Sequence, residues 1–478
     1  MGVDNQPIFQ GSTQPTPPSQ PQVNPTFQAP QNPNPPKSPP PDERKSLFSI
    51  RTLRLLIGLI TAIFVIFLLF LTITRFFGGK DKEVRLVYWG LWEDRNVMAS
   101  VISDFERENP NIKIDYSKQD IRDYRERLST RIQEGSGPDV FRFHNSWYPM
   151  LSEILVPLPE SIITKDDFNK NYYPVTQFDL VKNGAIYGIP LHIDTLSLYI
   201  NKDMFEAGGI TPPKTWEEFR DAAYSLTVKD EEGNIKTSGA ALGTFENVTH
   251  APDITSLLLI QNGVDVYNLS SDQRLYDALS FYTSFAKEDQ SIWNPTLENS
   301  LVAFSKGNLA MFFGYSWDYF TIKALNPDLS FGVIASPQLD SESPKNFASY
   351  WAEGISSESK NKKETFLFMK FLSSKSTQEK LFTEETKVRP FGEIYSDVGL
   401  AERLKDNKDA YVFLSQAPNA YSSYFVADTY DNGLNEKLNN YLKDAVNFML
   451  SGGSAESASE TLIQGYNQVL EQYENKKD

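Results

Sequence analysis

No cysteine occurs among the 478 residues. The chain can form no disulfide, thiolate metal site or thiol nucleophile, and it offers no cysteine for a lipid anchor. Histidine is scarce: His144, His192 and His250 are far apart and form no HxxxH pair, so no zinc or di-iron motif is present and no cofactor is expected. Neither GxSxG nor GxxxxGK[ST] occurs, which removes two hydrolase and nucleotide-binding signatures. The 62 Asp and Glu residues offer many carboxylate pairs of the type glycoside hydrolases use. No motif marks one of them, and the chain is read as a non-enzyme. Cations are in the minority, 46 Lys and Arg against 62 acidic residues, a net charge of -16. Such a chain is poorly suited to nucleic acid, whose binding rests on neutralising phosphates.

What is present divides into three segments. Residues 1–51 hold 13 of the 29 prolines, with Gln and Asn in many of the gaps. Too little apolar surface is available there to offset ordering entropy, so a disordered Pro/Gln-rich tail is expected. Pro33–Pro41 has the composition of a ligand for proline-recognising domains, but such matches arise by chance in any proline-rich stretch, and a solvated tail is the favoured reading. Residues 52–77 are expected to form a transmembrane helix. Leu55–Ile73 is 19 residues without a charge, between Arg54 and Arg75, and at ~1.5 Å per residue it matches a hydrocarbon core of roughly 30 Å. Its apolar run is longer than that of a cleaved signal peptide, and no small-x-small site follows, so a retained signal anchor is expected. Arg44, Lys45, Arg51 and Arg54 precede it, and Arg75, Lys80 and Lys82 follow. This places the tail in the cytoplasm and the larger domain outside.

Residues 1–79 carry six Lys/Arg and three Asp/Glu, a net of +3, so the remainder carries -19. This third segment opens as alternating strand and helix. Val84–Trp89 is rich in β-formers, and Val97, Val101, Ile102 and Phe105 recur at helical spacing up to Asn109-Pro110. Ile112, Ile114 and Tyr116 alternate, Tyr124, Leu128 and Ile132 mark a helix face, and Val140–Phe143 is a third apolar strand. A βαβαβ order predicts a parallel sheet with its ligand site beyond the carboxyl ends of the strands. The loops Gly90–Asp94 and His144–Trp147 are therefore candidate site loops. Thr215-Trp-Glu-Glu218 is a capping box opening a helix over Glu217–Leu226. Leu309–Phe313 reads as a buried strand. Helical spacing runs through Leu438, Leu442, Ala445, Val446 and Met449, and again over Ser457–Tyr473.

Several of these pieces, in order, resemble the extracellular solute-binding proteins of ABC importers, in the large sugar-binding, maltose-binding-protein-like group. The segments are LVYWG with the helix ending FERENPNIKI, GSGPDVFRF, IYGIPLHIDTLSLYINKDMFEAGGITPPKTWEEF, FSKGNLAMFFGYSW and FGVIASPQL. The resemblance spans nearly all of Val84–Asp478. It implies an α/β, periplasmic-binding-protein-like (type II) two-lobed fold with an interdomain cleft, preceded here by the tail and the membrane helix. The solute-binding domain would occupy 84–478, with one lobe at about 84–192 and 340–410 and the other at about 197–336 and 411–478. The lobes would close on a solute by hinge motion and pass it to the permease subunits of an ABC transporter.

A sugar site needs flat aromatics for the ring faces and short polar side chains for the hydroxyls. Trp92, Glu93 and Asp94 lie in the first site loop, the two carboxylates being equally suited to capping the next helix. Trp89 is read as core. The resemblance places Phe143 where a relative has a stacking tryptophan, core packing being the competing role, and Asn145 follows as a donor and acceptor. It places Asp194 at a hinge position that carries a ligand-contacting carboxylate, and Trp317 where the family has a stacking aromatic, with Tyr315 beside it. Trp351 and Glu353 bring the chain back to the first lobe. Arg389 and Tyr424 are weaker candidates. The family's usual cleaved, often lipidated leader has no counterpart here. The span and cytoplasmic tail also suit an alternative, a membrane-anchored sensing receptor acting through a separate signalling partner, and Trp and Asp residues would equally serve a cationic solute such as a polyamine.

Overall fold

The computed structural model describes residues 50–77, 83–287 and 291–474. The expected disordered tail lies outside the described residues apart from its last two positions, which already belong to the helix Ile50–Phe77. This helix falls in a compact unit separate from the one spanning Lys80–Asp478. Its side chains are described over 53–69, where Leu55, Ile57, Ile60, Phe64 and Phe67 are all exposed. Among the described residues no helix is long and apolar enough to cross a membrane.

The larger unit is built on two five-stranded sheets. The first has the spatial order Ile112–Lys118, Val84–Gly90, Val140–His144, Trp351–Ile355, Ile189–Pro190. Val84–Gly90 pairs in parallel with both neighbours, as the βαβαβ reading requires, and Trp351–Ile355 returns antiparallel beside Val140–His144. The helix Arg95–Glu108 covers this sheet through the predicted stripe Val97, Val101, Ile102 and Phe105, joined by Met98. Strand Val140–His144 is buried at every position, because sheet neighbours flank it and both faces are covered.

The second sheet has the order Phe331–Ala335, Ser197–Asn201, Leu309–Gly314, Ile235–Ala240, Val228–Lys229. Ser197–Asn201 runs antiparallel to both of its neighbours. The helix Trp216–Ser225 opens on a complete capping box between Thr215 and Glu218. Its end lies so close to the sheet that a Cβ on Gly239 would sit 1.8 Å from the Ala223 carbonyl oxygen. The helices Leu434–Leu450 and Ala455–Glu474 close the unit.

Three chain segments pass side by side between the sheets. Leu196 N donates to Phe347 O at 2.9 Å, Ser349 N to Asp194 O at 3.2 Å and Ala348 N to Tyr421 O at 2.8 Å. Asn346–Phe347 pairs in parallel with Ala420–Tyr421. The buried Gln416 amide ties the crossings further: Nε2 donates to Thr195 Oγ1 at 3.0 Å and Ser197 Oγ at 2.7 Å, while Oε1 accepts from Ser336 N at 2.9 Å.

Candidate functional site

The loops at the carboxyl ends of the first sheet carry an aromatic cluster. Trp351 meets Trp92, Trp147 and His144 edge to face, with ring centroids 5.4, 5.1 and 5.0 Å apart. Trp351 and Trp147 are buried, whereas Trp92 is 38% exposed, so Trp92 is the member of this group that offers a ring to solvent.

The carboxylates beneath the cluster are engaged within the protein. Arg142, fully buried, reaches Glu93 through Nη1 at 2.5 and 2.7 Å, and Glu353 through Nε at 2.7 Å. An arginine in an apolar strand requires such partners, since an unpaired buried charge costs several kcal/mol. Burial pushes the Glu93 carboxyl up, but Arg142 and His192 outweigh it and hold it below its usual range. At Glu353 burial prevails over Arg142 and the carboxyl stays raised. Asp94 makes no side-chain cap to the helix it precedes. It pairs with Lys118 at 2.7 Å on the surface.

Phe143 is fully buried in the first lobe's core. Its ring fills space left by Gly188 and Gly354, whose Cβ positions would each come within 2.9 Å of it. Asn145 is also buried: Nδ2 donates to Asp179 at 2.8 Å and Oδ1 accepts from Tyr350 N at 3.2 Å. Asp179 further accepts from Tyr350 Oη and Ser422 Oγ. Asn145 therefore knits the first lobe to two crossings.

Asp194 sits in the first crossing, 2% exposed. Its Oδ1 accepts from Thr195 N at 2.8 Å, and its Oδ2 accepts from Ser316 N at 2.9 Å and from Ser316 Oγ. It thus caps the helix Ser316–Leu325 of the second lobe from the hinge, satisfying donors that the helix leaves free. Burial drives its carboxyl well above the usual range, with Ser316 opposing.

Tyr315 and Trp317 lie at that helix start, stacked at 4.3 Å and 17°. Tyr315 is buried and donates through Oη to Asp253 at 2.7 Å. Trp317 is half-buried, with Tyr315 backing one face. Among the described residues no ring contact joins this pair to the Trp92 group. Arg389 pairs with Glu385 and Glu393 at 2.8 and 2.9 Å and lies over the Phe320 ring. Tyr424 packs edge to face on Tyr267.

One group escaped sequence reasoning. His250, wholly buried, bonds Asp318 Oδ2 through Nε2 at 2.8 Å, and its Nδ1 lies 3.5 Å from Asp428 Oδ2. Burial opposes its protonation, but Asp318, Asp428 and Asp253 together raise its pKa to about 9. Asp318 also accepts from Tyr315 N at 2.8 Å, so His250 anchors the turn that presents Trp317. These residues lie 68 and 178 positions from His250, and no local pattern announces them. A cavity of about 720 Å³ lies elsewhere, lined by Phe178, Tyr267, Lys345 and Tyr421 among others and by none of these candidates. Among the described residues no group of His, Asp or Glu side chains is arranged to hold a metal ion.

Two α/β lobes, three crossings and a stacked aromatic pair at a hinge-capped helix define a binding fold. The sequence profile of the bacterial extracellular solute-binding proteins matches residues 92–379, and the chain belongs to that family. Its members are binding proteins and not enzymes. The multiple sugar-binding protein of Streptococcus mutans is 24% identical over 372 residues, covering 73% of this chain and 86% of that protein. Among solved structures, the sugar-binding protein MalE of Xanthomonas citri matches with a TM-score of 0.66 at 20% identity, covering 83% of this chain and all of that one. A solute-binding protein of Thermotoga lettingae, bound to α-D-tagatose, matches with a TM-score of 0.62 at 24% identity, covering 81% of this chain and all of that one.

Proposed function

We propose that this chain captures a carbohydrate, a mono- or oligosaccharide, between its two lobes and delivers it to the permease subunits of an ABC transporter. The observation that carries this reading is Trp317: a half-buried ring stacked flat on Tyr315 at the start of the helix that Asp194 caps from the hinge. A backed aromatic ring is the surface a sugar's apolar face requires. The sugar-binding relatives support the same choice. The lobes are assigned to about 84–192 with 340–410, and to about 197–336 with 411–478. Trp92, packed on Trp351, contributes from the first, and Trp317, backed by Tyr315, from the second.

The domain is placed outside the cell, tethered by Leu55–Ile73 as a single-pass signal anchor. The uncharged run and its flanking arginines support the anchor. A tether would hold the receptor near its transporter at high effective concentration. Thermal shift of the full chain with D-tagatose, maltotetraose, mannobiose and spermidine tests the solute class, because a ligand that binds only the native state raises Tm. A sugar is expected to stabilise the chain and to lose its effect in Trp317→Ala. Stabilisation by spermidine alone, or full sugar affinity in Trp317→Ala, overturns the reading. Recovery of the chain in the soluble fraction after alkaline extraction of membranes overturns the anchor.

A further inference from the structure

The segment after the third crossing holds its backbone at a cost. Asp428, Tyr430 and Asn432 have φ of 57°, 49° and 45°, the left-handed region that L-residues avoid by about 1–2 kcal/mol each. Aspartate and asparagine tolerate it, but for tyrosine it is an outlier. Such strain persists where the surroundings fix it, and it concentrates at functional sites.

Here both lobes fix it. From the first, Arg125 Nε donates to Asp431 O at 2.5 Å, and Asp123 Oδ1 accepts from Asn432 Nδ2 at 2.7 Å. From the second, Asp253 Oδ2 accepts from Ala427 N at 2.9 Å, and His250 faces Asp428. Asp431 turns inward and accepts from Asn435 N and Glu436 N at 2.9 and 3.1 Å, at the start of the next helix. Facing solvent are Tyr430, 52% exposed, Asp428, whose side chain is 41% exposed, and Asn432, which is held by Asp123. Among the described residues the Tyr430 hydroxyl reaches Asp428 Oδ1 alone, at 3.5 Å, the outer limit of a hydrogen bond.

His250 links this segment to the stacked pair. Its ring lies 5.1 Å from Tyr315 and 6.4 Å from Trp317. Among the described residues its buried Nδ1 makes no hydrogen bond, and Asp428 Oδ2 lies 3.5 Å from it. His250 thus lies against both the Tyr315–Trp317 pair and Asp428, whose side chain is partly open to solvent.

We propose that Asp428 and Tyr430 are ligand-contacting residues of the interlobe site, and that His250 is the residue that positions Asp428. The inference rests on the carbohydrate reading. A carboxylate with both oxygens lightly engaged accepts from two neighbouring hydroxyls, and a tyrosine ring covers an apolar sugar face. The strained backbone holds both in place before the ligand arrives, which reduces the ordering cost of binding.

The test measures affinity and Tm of the full chain with the same sugars for wild type, Asp428→Asn, Tyr430→Phe and Tyr430→Gly. Tyr430→Gly relieves the left-handed strain, so Tm without sugar is expected to rise while affinity falls by about tenfold or more, the scale of one lost contact. Tyr430→Phe keeps the ring and retains most of the affinity. Asp428→Asn loses a similar factor. Wild-type affinity is expected to fall as pH rises through about 9, the pKa to which Asp318, Asp428 and Asp253 raise His250, with Tyr315 also facing it. That pH dependence is expected to vanish in Asp428→Asn. If the wild type binds none of the sugars, the carbohydrate reading fails and this inference with it. If the wild type binds and both Asp428→Asn and Tyr430→Gly bind equally well, this inference alone is overturned. Alkaline weakening that persists in Asp428→Asn removes the role given to His250.

Discussion

Replacing Arg142 with methionine tests the buried ion triad, because it removes one charge and keeps a long unbranched side chain. Glu93 and Glu353, with side chains 3% and 1% exposed, would then share a desolvated space without a counter-ion. Each contact with Arg142 is worth about 4 kcal/mol at an effective dielectric of ~20 before desolvation is counted. Removing one partner of a buried pair costs about 3–5 kcal/mol. With an unfolding entropy of ~2.1 cal/mol/K per residue, spread over the Lys80–Asp478 unit, this loss corresponds to ~4–6 °C in Tm. In the variant, burial and mutual repulsion raise at least one folded-state carboxyl pKa above its unfolded value. A group raised in this way contributes stability at low pH that is lost as pH rises through its folded pKa, so the deficit is smaller at about pH 5 than at about pH 8. Thermal melts without sugar at both values measure it. The triple variant Arg142→Met, Glu93→Met, Glu353→Leu should recover most of the loss, since apolar replacement of a whole buried ion group is often neutral or stabilising. A single variant that melts with the wild type, or a triple variant worse than the single, refutes the argument.

Asp194→Ala strands the Ser316 and Thr195 amides, at a cost of about 1–3 kcal/mol. Because the Asp194 carboxyl is raised by burial, its contribution is greatest in acid, and the gap to wild type narrows between about pH 4 and about pH 7, which paired melts would show. Thr215→Ala dissolves the capping box of the helix Trp216–Ser225 and should cost about 1 kcal/mol, with Thr215→Ser restoring it, as read from urea midpoints. Gly239→Ala drives a methyl group into the Ala223 carbonyl and should cost about 3 kcal/mol; a urea midpoint unchanged from wild type would contradict the close approach.

The fold was legible where the chain speaks locally. The stripe Val97, Val101, Ile102, Phe105 and the alternation at Ile112, Ile114 and Tyr116 mark a helix and a strand because one buried face imposes one period. The site was legible in part, for a physical reason. A sequence shows that a polar residue stands in an apolar context, as Arg142 and Asp194 do, and such a residue demands a partner. It does not show whether that partner is a solute or the protein. At Glu93, Glu353, Asn145 and Asp194 the partners are protein groups: Arg142, Asp179, the Tyr350 amide and Ser316. Arg142 in the run Val140–His144 was the available signal, because a buried guanidinium implies carboxylates spent on it and therefore not open to a ligand. Asp428 carries the opposite signature, a carboxylate with solvent in front and His250 behind. It was invisible in sequence because three folded segments, at His250, Asp318 and Asp428, must first be brought together to make it.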